Sequence, residues 1–495
     1  MRSARAIVVG SNRGPVAFEP GPDGPTARRG SGGLVTALTG ALHDAGGTWV
    51  AAAMSASDRA VAGVAGDRAL DLAPHGFPFG LRLLVVPPED YEAAYGGVSN
   101  GLLWFVHHHL WDTVRQPLFG EDVGRVFEAY ERVNHAFAVA MAEEAGRLPG
   151  RPTFLVQDYH LTLVPAMLRA LVPDASIAHF SHTSIAGPTY FRILPEAIRD
   201  RILYGMLGAD VLGFHARRWA ENLLMCARGL PGVHADLGRA RILVDGRAVR
   251  TRVHPISVDA PAIRADAASE TVRRRRREFQ TWRGADAMIL RVDRLELSKN
   301  IVRGFLAYEL LLRRNPDRRG RVQFLAMLSP SRLDIPEYRT YADECLAEAD
   351  RVNRQFGTPT WTPITVRLQE DYEGALAAYA LYDVLLVNPV IDGMNLVAME
   401  GPLVNLRSGA LVLSRNAGAH DRLARHAIGV NPYDLDDTAR ALERALAMGM
   451  DERRRRARGL ARLVLANPPE RWVRGQLDDL EEAERRRSRL VRQAS

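Results

Sequence analysis

Lysine is almost missing from this sequence. Across 495 residues the only one is Lys299, and every other basic side chain is arginine. Codon bias toward arginine accounts for the scarcity but not for the place of the exception, which follows an apolar run and shares a short loop with Arg294. Cysteine is as scarce: Cys226 and Cys345 stand far apart without metal-ligand spacing, which excludes a disulfide framework and fits small buried residues in a reducing compartment. No run of eighteen apolar residues occurs, which excludes a membrane-spanning helix, and Met1-Arg2-Ser3-Ala4-Arg5 leads into a strand without a signal-peptide core. A cytoplasmic protein with no membrane partner is predicted. Acid is the minority charge, leaving a formal +7. The basic runs Arg273 to Arg277, Arg453 to Arg456 and Arg485 to Arg487 nevertheless sit among acids such as Glu278, Asp451, Glu452, Glu482 and Glu484, in stretches of helical composition. That pattern predicts solvated helix faces, and with no zinc-finger spacing or aromatic RNA-binding signature it predicts no nucleic-acid partner.

What is present is a regular alternation. Apolar runs predict strands at Ala6 to Gly10, Thr48 to Met54, Leu81 to Val86, Thr153 to Gln157, Ile177 to His182 and Val211 to His215, with helical spacing between them, strongest over Phe127 to Leu148. The alternation starts afresh after about residue 256, with strands at Met288 to Val292, Val322 to Leu328, Thr365 to Leu368, Val384 to Val387, Leu411 to Leu413 and Ile428 to Asn431. Apolar content of 47% and a length of 495 residues suit a globular chain of two or three domains. The predicted fold class is α/β, with two Rossmann-like doubly wound domains facing across a cleft. Their bounds are placed at 1–256 and 257–475, with a terminal helix at 476–495 that packs back on the first domain.

Strand ends in such folds bind ligands, so the polar residues that follow the strands are the candidates. Arg294 and Lys299 lie between a strand and the helix from Ile301, the local arrangement of an anion site. Arg13 follows the first strand, and Gly30 to Leu38, with Gly33, puts glycines ahead of a helix, where bare N–H groups can approach a phosphate. Asp158 and His182 end two further strands. Asp392-Gly393-Met394-Asn395-Leu396 joins a strand to a helix that carries Glu400, a carboxylate able to hold vicinal hydroxyls. Arg332 follows the strand at 322. The triple histidine His107-His108-His109 suggests a metal, but successive side chains point in different directions and are better read as core or pocket wall. Asp434-Leu435-Asp436-Asp437 is more simply a capped helix start than a metal loop.

Taken together, Ser11-Asn12-Arg13, Gly32-Gly33-Leu34, Asp158-Tyr159-His160-Leu161, Arg294-Leu295 with Ser298-Lys299, Asp392 to Val397, and Asn431-Pro432-Tyr433 resemble the trehalose-6-phosphate synthase family of retaining glycosyltransferases with the GT-B fold, from Val8 to about Leu477. The resemblance implies that Arg294 and Lys299 grip a donor diphosphate under the Gly33 loop. It further implies that Glu400 holds the ribose, and that Asp392 with Gly393 and the amides of Met394, Asn395 and Leu396 holds the donor ring and phosphate. Asp158 and His182 would lie beside the reacting ring, and Arg13, Tyr95, Trp104 and Arg332 would form the acceptor side. Three departures stand out. The family's second tryptophan after the one matching Trp49 is lost where this chain reads Val50-Ala51-Ala52; a His-Ile-Pro-Phe-Pro stretch becomes His182-Thr183-Ser184-Ile185-Ala186-Gly187-Pro188; and Arg-Leu-Asp-Tyr-Ser-Lys-Gly becomes Arg294 to Asn300, with Glu296. Loss of an indole removes a sugar-stacking surface, so the pattern looks like the pseudo-glycosyltransferase branch. The partners then expected are a GDP-linked cyclitol donor and a phosphorylated aminocyclitol acceptor joined through a C–N bond with retention. Nucleotide-glucose and glucose 6-phosphate are the alternative pair. No cofactor and no metal is required on this reading, because two fixed cations answer the diphosphate, and a homodimer is expected.

Overall fold

The structure is a computed structural model that describes residues 5–21, 24–29, 35, 38–39 and 46–494. Gly33 and most of the glycine-rich stretch around it lie outside the described residues. The chain divides into two compact units, Met1–Ile256 with Pro469–Ser495, and Ser257–Pro468.

In the first unit seven parallel strands form the middle of a ten-stranded sheet, Arg247–Val253 at one side of the other six. The spatial order of those six is Val211–Phe214, Ser176–Ser181, Arg151–Gln157, Arg5–Ser11, Thr48–Ala52 and Gly80–Leu84. These strands are apolar on both faces, as strands covered by helices on each side must be; Val8, Val9, Leu155 and Ile177 are fully buried. Numbered along the chain, the order is 6-5-4-1-2-3, so it reverses between Arg5–Ser11 and Arg151–Gln157. Helices pass to opposite faces at such a reversal and leave a crevice at the two carboxyl ends. Residues 11–13 and Asp158 are the first to leave those ends.

The second unit repeats the scheme with a six-stranded, wholly parallel sheet in the order Ile364–Leu368, Val322–Pro330, Ala287–Leu295, Val384–Val387, Ala410–Ser414, Ile428–Val430. Its reversal falls between Ala287–Leu295 and Val384–Val387. Phe305, Tyr308, Leu311 and Phe324 are buried together on one face of this sheet, each contributing about 1.5–3 kcal/mol of burial.

Four features differ from the sequence reading. The polar stretch after Pro15 forms an antiparallel hairpin, Val16–Glu19 with Thr26–Arg29. The first sheet is extended by Val233–Asp236, Arg241–Val244 and Arg247–Val253; these short strands mix charge with apolar residues and give little alternation to read. Ala93–Leu103 is a π-helix, a local widening often found at functional sites. The terminal helix does not begin at 476: it runs from Pro469 to Ala494. Proline, lacking an N–H, suits the first helical turn, and Trp472 four positions in packs edge-on against Phe180 at 4.9 Å. Arg252 and His254 then bind Asp479 at 2.8 and 2.5 Å, and Arg5 binds Glu484 at 3.0 Å. The whole helix therefore belongs to the first unit, and the second ends at Pro468. None of the described helices is long and apolar enough to cross a membrane.

Candidate active site

At the second unit's reversal the strand Ala287–Leu295 hands over to a single 3-10 turn, Leu297–Lys299. Asn300 then takes a left-handed conformation, φ 61°, that starts the helix Ile301–Arg314. Asparagine tolerates this region where most residues do not. Its side chain donates to the Asn388 and Pro432 carbonyls at 2.9 and 2.8 Å, and Val390 N–H donates to the Ser298 carbonyl at 2.9 Å. These bonds stitch the loops leaving the two central strands together. They bring Lys299 Nζ to 2.6 Å from Asp392 Oδ2, although 93 residues separate the two. Burial opposes the charged form of Lys299, but Asp392 and then Glu296 outweigh it and hold the ammonium above its ordinary value. A Schiff-base lysine needs the opposite shift.

Asp392 is itself fixed. It accepts from Asn395 Nδ2 at 3.1 Å and from the Met394 N–H at 3.3 Å. Asn395 sits at φ 77° and caps Ala398 N–H at 3.2 Å, at the entrance to the helix Val397–Val404. Gly418 passes so close that an added Cβ would lie 2.0 Å from the Gly393 carbonyl oxygen, so only glycine permits this loop. Leu396 precedes the helix, and Glu400 in its first turn accepts from Tyr379 Oη at 3.2 Å. Burial raises the Glu400 carboxyl above its ordinary value, against the Tyr379 bond.

Sequence reasoning passed over the residues that organise these cations. Arg291, inside the apolar run, is fully buried and donates to the Lys299 carbonyl at 2.9 Å and to Asn388. It also pairs with Asp293 at 3.5 Å. Burial pushes Asp293 up to about 6, against Arg291 and Lys299. Glu296, wholly buried, contacts Arg294 at 3.3 Å and Arg332 at 3.2 Å. Arg332, which takes φ 51° and donates to Tyr338 Oη at 3.0 Å, is thus brought beside Arg294. A charged residue within or just after a strand carried the only signal.

In the first unit the same topological position has different chemistry. Arg13 Nη2 donates to Tyr95 Oη at 3.4 Å, and the Tyr95 ring stacks between Tyr91 at 5.6 Å and His160 at 5.8 Å. Tyr95 stands on the π-helix. Asp158 takes φ 72°, strained for a residue with a Cβ. It makes no side-chain cap of the turn that follows; its carboxylate instead accepts the His182 N–H at 3.1 Å. The His182 ring lies in a directed chain. Ile256 N–H donates to His215 Nδ1 at 3.2 Å, while the His254 carbonyl lies 3.4 Å from the same nitrogen; the shorter bond favours a proton on His215 Nε2, which faces His182 Nδ1 at 3.2 Å. His182 Nε2–H then donates to Gln157 Oε1 at 3.1 Å. Burial, with His215 and His179 nearby, holds His182 well below its ordinary value. It is a neutral ring with both nitrogens engaged.

Trp104, expected on the acceptor side, is buried, stacked on His108 at 3.9 Å and tilted against Tyr159 at 5.6 Å, because residues four apart on a helix share a face. The rewritten segment after His182 also faces inward. Thr183, Ser184, Ile185 and Ala186 are buried; Ser184 Oγ donates to the His107 carbonyl at 2.6 Å and Ala186 N–H to His107 Nδ1 at 3.3 Å. The other histidines diverge, His108 to the Trp104 carbonyl at 2.9 Å and His109 onto Tyr190 at 4.3 Å. Among the described residues no three His, Cys, Asp or Glu side chains stand together as a metal site. Asp434 caps its helix, accepting from Asp437 N–H at 2.9 Å.

The model of glycosyltransferase family 20 matches residues 5–482. The chain belongs to that family. Relatives agree along the whole length: the trehalose-6-phosphate synthase of Mycobacterium avium is 36% identical over 496 residues, covering 96% of this chain and 95% of the relative. That of Mycobacterium tuberculosis is 36% identical over 488 residues, covering 96% and 94%. An Escherichia coli trehalose-6-phosphate enzyme bound with UDP-2-fluoro glucose superimposes with a TM-score of 0.82 at 28% identity, covering 96% and 98% of the two chains. A Burkholderia xenovorans alpha,alpha-trehalose-phosphate synthase (UDP-forming) in complex with glucose-6-phosphate gives 0.80 at 27%, covering 96% and 100%. This family 20 chain is a trehalose-6-phosphate synthase-like, nucleotide-sugar-dependent glycosyltransferase of the GT-B type, with two Rossmann-like domains.

Proposed function

We propose that the protein transfers glucose from a nucleoside diphosphate, GDP or UDP, to glucose 6-phosphate with retention, forming trehalose 6-phosphate. The reading rests on agreement with synthases of that name over 96% of the chain. The chemistry of the second unit supports it. As the donor C–O bond breaks, negative charge grows on the departing phosphate. Lys299, on a fixed turn, and Arg294, near the end of the strand before it, are preplaced cations, and such groups stabilise developing charge without reorganising. The proton of the attacking hydroxyl passes to the leaving phosphate oxygen on the same face, so retention needs no carboxylate nucleophile. Glu400 takes the ribose hydroxyls. Asp392, tied to Lys299, faces the donor ring, and Arg332 takes the acceptor phosphate; in the first unit Arg13 and Tyr95 are the acceptor-side residues.

A second reading keeps the donor grip and changes the rings: GDP-valienol coupled to validamine 7-phosphate, giving validoxylamine A 7'-phosphate. Its support is the lost indole at Ala52. The support is thin, because Ala52 is buried in its strand and the rewritten residues 183–186 pack inward. Side-by-side initial rates test both. GDP- or UDP-glucose with glucose 6-phosphate should outrun the cyclitol pair by at least about a hundredfold, since mismatched rings leave buried polar groups unpaired at about 1–3 kcal/mol each. A faster cyclitol pair would reverse the assignment.

A further inference from the structure

Glu296 carries more cations than an ordinary ion pair. Its side chain is wholly buried, yet Oε1 lies 3.3 Å from Arg294 Nη2 and 3.8 Å from Lys299 Nζ, and Oε2 lies 3.2 Å from Arg332 Nη1. Ser298 Oγ donates to Oε1 at 2.9 Å. Arg294 stands on a strand whose in-register neighbour, ending at Pro330, leads directly to Arg332, with Arg294 opposite Ser329. Three cations gathered this closely raise the local positive potential, and a buried anion among them partly neutralises each. It also competes with any ligand anion for the same donors. Counting Asp392 at 2.6 Å from Lys299, the group has three positive and two negative charges, a net of +1.

On the reading above, in which Arg294 and Lys299 meet the donor diphosphate and Arg332 the acceptor phosphate, we infer that Glu296 is a positioning residue whose single buried charge sets the affinity for both anions at once. While it is present, each guanidinium is partly neutralised and product nucleotide leaves a weakly positive site. When its charge is removed the net becomes +2, both anions are held more tightly, and nucleotide release slows. A purely structural carboxylate would act the other way, since its loss would scatter the arginines and weaken binding.

Calorimetric titration of GDP, UDP and glucose 6-phosphate, with initial rates, tests this in Glu296→Gln, Glu296→Asp and Glu309→Gln. Glu309 is a control: another buried carboxylate of the same unit, holding Arg313 at 2.6 Å and also Arg351. Glu296→Gln should bind nucleoside diphosphate and sugar phosphate each roughly tenfold more tightly, as loss of one nearby charge in a partly screened site predicts, while turnover falls. Glu296→Asp, with its charge drawn back by one methylene, should tighten both by a smaller factor, about threefold. Glu309→Gln should move neither. Unchanged or weaker binding of either anion by folded Glu296→Gln overturns the inference; should that variant not fold, a change for one ligand alone in Glu296→Asp does so. Arg294→Ala and Arg332→Ala run alongside. If they leave nucleotide and sugar-phosphate binding intact, the underlying site reading has failed; if they weaken them and Glu296→Gln tightens nothing, only the role of Glu296 has.

Discussion

The two units share one strand order and place their candidate residues at the same topological reversal, but they fill it with opposite chemistry. In the second unit the reversal is ionic: Lys299 with Asp392, and Arg294 and Arg332 on the buried Glu296. In the first, Arg13 and Asp158 stand among uncharged groups, with Tyr95 stacked between Tyr91 and His160, and His182 in a chain of imidazoles. The frame therefore fixes where a ligand binds, and the side chains on it fix which part. Ionic pairs suit a diphosphate, whose charge changes during reaction; neutral, directed hydrogen bonds and ring faces suit a sugar.

The contrast breaks most visibly at its ionic end. Lys299→Ala and Arg294→Ala should each lower turnover by at least about a hundredfold, since each removes a donor to charge that forms in the transition state. Lys299→Arg should not rescue, because a planar guanidinium cannot take the place of a compact ammonium 2.6 Å from Asp392. Turnover near wild type in a folded Lys299→Ala protein would remove the basis for the donor assignment.

Acid separates the units in the opposite sense. Burial holds His107 down to about 3 and His179 to about 4, with His182 lowered too. Their unfolded counterparts take up protons below about pH 6.5, so the first unit loses stability as pH falls through that value, about 2 kcal/mol each for His107 and His179 by pH 5. Asp293 in the second unit is raised to about 6; it binds its proton folded before it does unfolded, so its contribution grows as pH falls from 6 toward 4, by about 1.4 kcal/mol at pH 5. Thermal melts from pH 7.5 to 5 should show the first unit unfolding progressively earlier. Asp293→Asn should flatten the second unit's response, and parallel shifts of both units would contradict the contrast.

How much of this was legible in the sequence follows from what sequence can encode. Strands of the parallel cores were readable because burial on both faces makes them continuous apolar runs, and the residues just after them followed from the fold class. The partnerships were not. That Lys299 meets Asp392 depends on Ala287–Leu295 lying beside Val384–Val387, a pairing no local pattern announces. Arg291 was one charge inside an apolar run, and Glu296 one of several departures from the family's motif, with nothing to show which cations they meet. The inward packing of residues 183–186 likewise could not be seen from their identities, and it weakens the case for a cyclitol pocket.

A smaller effect sharpens the division of labour among the arginines. Arg13→Ala should weaken glucose 6-phosphate about tenfold and leave nucleotide binding unchanged, as loss of one charged hydrogen-bond donor predicts. Arg332→Ala should weaken the sugar phosphate to a similar extent and also reduce nucleotide affinity severalfold, because Glu296, freed of Arg332, then pulls harder on Arg294. Calorimetry on the two variants decides it; equal effects on nucleotide would erase the distinction between a residue of the first unit and one of the second.

The smallest effect tests whether the first unit's reversal is neutral and directed. Ile256 N–H, His215, His182 and Gln157 form a chain in which each ring accepts on Nδ1 and donates from Nε2. Nitrogen-15 NMR of wild type at pH 7 should therefore show His182 as the Nε2–H tautomer. Replacing His215 by Phe keeps a ring where Phe180 packs against it at 4.9 Å but removes the donor to His182 Nδ1. An imidazole nitrogen left unpaired in the interior costs about 1 kcal/mol, which should appear as a modest loss of stability, mixed His182 tautomers and a severalfold fall in turnover, with nucleotide affinity intact. An imidazolium in the wild-type spectrum would put charge on the chain of imidazoles, and a proton on Nδ1 would reverse its direction; either would remove the footing of the comparison between the units.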